Sequence, residues 1–73
     1  MSMIRKITIG PDYLNSMKYV LGQIVLNNSN VIDLIKETTE AYEIWIKNSN
    51  NEIIKWKQFN KTMPISVEFN INF

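Results

Sequence analysis

The sequence predicts a small α+β domain: an antiparallel β-meander or half-barrel of about five strands with one N-terminal helix. Three observations carry that expectation. Residues 65–73 alternate strictly between apolar and polar side chains. Residues 31–47 are rich in β-branched side chains. Residues 11–26, after Gly10-Pro11, set apolar side chains at helical spacing. With 73 residues and 8.6 kDa, the expected organisation is a single domain over 1–73. That size is near the lower limit for one self-sufficient core. An apolar content of 45% and a net charge of only +1 exclude a chain kept unfolded by charge.

The elements follow in order. Residues 3–9 read as a strand, with Arg5, Ile7 and Ile9 on one face and Ile4, Lys6 and Thr8 on the other; Gly10-Pro11 ends it. In residues 11–26, Tyr13, Leu14, Met17, Val20, Leu21, Ile24 and Val25 fit a helix, and Pro11 suits its first turn. Gly22 and the strand-forming pairs Tyr19-Val20 and Ile24-Val25 oppose it in the second half. The expectation is a helix over at least 11–18, with residues 17–26 open between its continuation through 26 and a strand.

Residues 31–47 imitate an amphipathic helix, because Val31, Ile35, Thr38, Tyr42 and Trp45 step by four and three. Yet Val31, Ile32, Ile35, Thr38, Thr39, Ile44 and Ile46 are all β-branched. Such side chains lose rotamer freedom in a helix and pack well on a pleated surface. Two strands are therefore predicted, about 31–37 and 41–47, with a turn near Thr38 to Glu40.

The next hairpin is fixed by matching partners. A three-residue loop, Ser49-Asn50-Asn51, sets Asn48 opposite Glu52, Ile46 opposite Ile54 and Ile44 opposite Trp56. Trp45 then faces Lys55, and Glu43 faces Lys57. A four-residue loop sets Ile44 against Lys55 and Glu43 against Trp56, pairs of unlike character. An Asn in the left-handed conformation closes the shorter loop. Last, Ile65, Val67, Phe69, Ile71 and Phe73 alternate with Ser66, Glu68, Asn70 and Asn72, with Pro64 placed to open the strand.

Absences bound the function. There is no Cys and no His. Thiol nucleophiles, disulfides and most zinc sites are excluded, as is the side chain best suited to proton transfer near neutral pH. Glu37, Glu40, Glu43 and Glu68 do not converge in sequence, and no glycine-rich phosphate loop exists. No catalytic residue, cofactor-binding residue or metal ligand is assigned, and no enzyme activity is expected. No apolar run approaches the ~20 residues of a membrane span. The expected chain is soluble, unexported and cytoplasmic. A near-neutral charge argues against strong nonspecific DNA binding.

The hairpin's outer face is the candidate contact surface. It is expected to carry Trp45, Lys47, Ile53, Lys55, Lys57 and Phe59, with Glu43 among them. Ile44, Ile46, Ile54 and Trp56 supply the inner face, so the hairpin is apolar on both sides. Such a strand is either covered on both faces or offers one to a partner. Trp is favoured at protein contacts. Trp45, Lys47, Lys55, Lys57 and Phe59 are the assigned partner-binding residues.

Composition points to an AT-rich genome, with Ile 12 and Asn 10 of the 73 residues. Together with KITIGPDY (6–13), IIKWKQFN (53–60) and MPISVEFNINF (63–73), it resembles the small accessory proteins of T-even-like bacteriophages. That resemblance implies host-takeover action: binding a host defence or regulatory protein, in the host cytoplasm, and blocking or redirecting it. The expected function is a non-enzymatic binding module of this kind. Two alternatives stand: a nucleotide or nucleic-acid binder using the Trp/Lys face, and a structural homo-oligomer.

Overall fold

The computed structural model describes residues 3–10, 15–27 and 29–70. It is all-β among those residues: β1 (Met3–Ile9), β2 (Met17–Val20), β3 (Ile24–Val25), β4 (Asn30–Glu37), β5 (Ala41–Lys47), β6 (Ile53–Asn60) and β7 (Ile65–Asn70). The strands form two antiparallel sheets, ordered β2-β1-β7 and β3-β4-β5-β6. This corrects the α+β expectation. Seven strands replace about five, and there is no helix among the described residues.

The N-terminal helix fails for a physical reason. Residues 11–14 lie outside the described residues, but Met17–Val20 and Ile24–Val25 are strands, and Gly22 sits between them with φ +86°. The Leu21 N–H donates to the Arg5 carbonyl of β1, whereas the Gly22 N–H donates to the Ile32 carbonyl of β4. Ile32 N–H donates back to the Gln23 carbonyl. The chain therefore leaves the first sheet and enters the second within two residues. That corner needs a left-handed backbone, which glycine adopts without a Cβ penalty. The helical spacing was incidental, and the β-prone pairs on either side of Gly22 prevail.

Two bulges decide which side chains reach the core. Along β1, the ladder with β7 shifts between Ile4 and Lys6, so Arg5 is the extra residue. Ile4 thereby joins Ile7 and Ile9 on the buried face, rather than standing opposite them as strict alternation predicts. Along β4, the ladder with β5 shifts between Ile32 and Leu34, which brings Ile32 and Ile35 to one face although they are three apart.

The core lies between the two sheets, with β1 against β4. It gathers Ile4, Ile7, Ile9, Tyr19, Ile32, Ile35, Ile44 and Ile46, and Leu21, Val25, Tyr42, Trp56, Phe59, Ile65 and Val67 close around it. Ile7 and Ile44 are wholly buried. Tyr19 meets Trp56 edge-on and Phe59 at a tilt, each ring centroid 5.7 Å away, tying β2 to β6 across the core. The C-terminal strand presents Ile65 and Val67 to this core and Ser66 and Glu68 outward; residues 71–73 of the expected strand lie outside the described residues. No helix among the described residues is long and apolar enough to cross a membrane.

Candidate functional site

The candidate site lies on the outer face of the second sheet. The β5–β6 turn confirms the short loop. Asn48 N–H donates to the Glu52 carbonyl, and Asn51 adopts φ +63°. The Asn48 Oδ1 accepts from the Asn50 and Glu52 N–H groups at 2.9 and 3.0 Å, which holds the turn from within. From there the pairs run as matching character requires: Lys47 with Ile53, Ile46 with Ile54, Trp45 with Lys55.

At the next step the ladder shifts. Ile44 pairs with Lys57, Glu43 with Gln58 and Tyr42 with Phe59. Trp56 is the extra residue, and it packs against the core. Lys57 and Phe59, both expected on the outer face, are thus carried to the inner side. Phe59 packs on the core against Tyr19. Lys57 takes the place opposite buried Ile44, with its Nζ 4.8 Å from the centre of the Trp56 ring. The bulge therefore divides the five assigned residues. It keeps Trp45, Lys47 and Lys55 on one face and removes Lys57 and Phe59 from it.

The retained face has its own polar order. The Trp45 indole N–H donates to Glu43 Oε1 at 3.1 Å. The other Glu43 oxygen is 3.8 Å from Lys55 Nζ, which also donates to Gln58 Oε1 at 3.0 Å. Glu43 is largely buried in this arrangement, with 16% of its side chain exposed. Its carboxylate sits between an indole N–H and an ammonium, so the Trp45 ring is held in one orientation. Such a rigid aromatic loses little freedom on binding.

Neighbouring strands enlarge the face. Leu34 pairs with Trp45 and Lys36 with Glu43. A second row runs across all four strands: Ile24, Val31, Lys47 and Ile53. Its three apolar members are all exposed, Ile24 at 57%. Neither Trp45 nor Leu34 belongs to the core cluster. Sequence reasoning missed Ile24, Val31 and Leu34 as members of this face. Ile24 lies in residues 17–26, which the sequence leaves open between helix and strand, and the β4 bulge at Asp33 sets which side Leu34 takes.

Other features carry less chemistry. An open depression of about 460 Å³ is lined by Glu40, Asn60, Lys61 and Thr62, four residues along β5 from Trp45 at the Ala41–Asn60 pair. Lys61 is committed there, 2.6 Å from Glu37 Oε2 and 5.3 Å from the Tyr42 ring centre. Among the described residues no group of three or more carboxylates stands where it could hold a metal ion. Burial raises the Tyr19 phenol above its usual pKa. Its hydroxyl lies 3.5 Å from the Met17 sulfur, which accepts its hydrogen bond. No family model matches the chain, and no curated protein or solved structure is significantly similar to it.

Proposed function

We propose that this chain is a non-enzymatic binding module that docks a partner protein on the outer face of the β3–β6 sheet, centred on Trp45, Lys47 and Lys55. The observation that carries this reading is the arrangement of that face. A tryptophan fixed by Glu43 stands beside a row of exposed Ile24, Val31 and Ile53, and none of these belongs to the core. A group of exposed apolar side chains with lysines set among them is the kind of surface that a protein contact uses. Lys36, Lys47 and Lys55 outnumber Glu43 and the exposed bulge residue Asp33, so an acidic partner surface fits the face. The same charges disfavour packing this face against a second copy. A nucleic acid fits less well, because Glu43 sets a carboxylate beside Trp45 in the middle of the face.

The resemblance to phage accessory proteins makes a host protein the first partner class to test. Tagged wild type and Trp45→Ala, both shown folded by amide dispersion, are passed over a bacterial lysate. One stoichiometric protein retained by the wild type and lost from the variant supports the reading. Equal retention by both overturns the site.

A further inference from the structure

We propose that the free edge of β6 captures an extended acidic segment of a partner protein as a fifth strand of the second sheet. This rests on the reading of the chain as a binding module, but not on the Trp45 face. β6 is eight residues long and, among the described residues, pairs only with β5. β7 follows it directly in sequence yet belongs to the other sheet, so the ladder stops at β6. The backbone N–H and C=O groups of such an edge are a template for a further strand.

The side chains say what kind of strand fits. Ile54 pairs with Ile46, which is 1% exposed, yet Ile54 itself is 47% exposed. It faces inward but has no neighbour beyond it, and an added strand with an apolar inward residue would cover it. Lys55 and Lys57 stand in the middle of β6. The Lys55 contact with Glu43 is long, at 3.8 Å, and Lys57 has no carboxylate within ion-pair distance among the described residues. Lys55 lies on the outer side of β6 and Lys57 on the inner side, so two adjacent carboxylates on the incoming strand, pointing to opposite sides, would face both ammonium groups, as opposite charges across a ladder favour pairing. A second copy is the poorer occupant. Two-fold pairing of β6 with itself brings Lys55 and Lys57 from each chain and no carboxylate of β6 to the seam, and like charges gathered on a ladder repel.

The test titrates the isotope-labelled chain with a capped eight-residue peptide of valine and threonine that carries two adjacent glutamates at its centre, one for each side of the strand. The same peptide with lysine in place of glutamate is titrated in parallel. The expected result is saturable shifts of the amides of residues 53–60 and at least tenfold weaker binding of the lysine peptide. Lys57→Glu should abolish the preference, and Lys57→Gln, a milder change, should reduce it. Shifts confined to other strands, equal binding of the two peptides, or no shift up to millimolar peptide overturns the proposal. A concentration-dependent dimer with protected β6 amides overturns it in favour of a second copy. Trp45→Ala leaves this titration unchanged, so failure of the outer-face reading and failure of the edge are told apart.

Discussion

Ile44 pairs with Lys57, although its neighbour Trp45 pairs with Lys55. One residue, Trp56, is left over, and that single insertion determines which side chains the hairpin shows to solvent. It packs the Trp56 indole against the core and carries Lys57 and Phe59 off the face that Trp45 occupies. Loss of the inward isoleucine should be felt directly. Ile44 is wholly buried, so Ile44→Val is expected to cost about 1 kcal/mol and Ile44→Ala about 3 kcal/mol, read by denaturant unfolding. In a domain of this size the larger loss is a substantial share of total stability.

Backbone strain gives a prediction of opposite signs at two turns. Asn51 and Leu26 both hold left-handed conformations, at φ 63° and 55°. Asparagine tolerates that region and leucine does not. Asn51→Ala should therefore cost about 1 kcal/mol, while Leu26→Asn should add up to about 1 kcal/mol, since the leucine side chain is half exposed. Thermal unfolding of the two variants beside wild type checks the pair.

Alkaline stability should depend on Tyr19. Burial raises its pKa in the folded chain above the value of about 10 in the unfolded chain. Between those two values the folded state holds the proton more tightly. The contribution is therefore fully present below about pH 10 and is lost as pH rises towards the folded value. Tyr19→Phe should flatten the fall of stability above pH 10 relative to wild type, measured by urea unfolding across pH 8 to 11. Parallel curves for the two chains would contradict the burial account.

The Glu43 network should govern the Trp45 ring more than it governs the fold. Glu43→Gln retains an acceptor, whereas Glu43→Ala removes it. The alanine variant should shift and broaden the Trp45 indole N–H resonance and change stability by no more than about 1 kcal/mol, because Lys55 is well exposed. The glutamine variant should keep the resonance near its wild-type position.

Much of this fold was legible in the residues, and the failures have identifiable causes. The β-branched run over 31–47 gave β4 and β5 against a helical spacing, because side-chain stiffness acts at every residue while spacing by itself does not stabilise anything. Paired character across the Ser49–Asn51 loop gave the correct register as far as Trp45 and Lys55. Beyond that point the same rule placed Ile44 against Trp56, and the structure places it against Lys57. Cross-strand matching sees only β5, whereas Trp56 also packs against Tyr19 from β2, a partner no local rule reveals. Arg5 and Asp33 are similar: each bulge brings an isoleucine to the common core, at a distance in sequence that alternation cannot anticipate. The corner at Gly22 was visible as a weak point for a helix, but that it joins two sheets depends on bonds to Arg5 and Ile32.

The most direct test of the central claim is hydroxyl-radical footprinting of the chain with and without its captured protein partner. The two outer faces of the same molecule serve as site and control. Binding on the β3–β6 face predicts protection of Trp45, Leu34 and Ile53, with Lys6, Lys18 and Glu68 on the other sheet unchanged. Protection of the Lys6, Lys18 and Glu68 face with Trp45 left reactive would contradict the account.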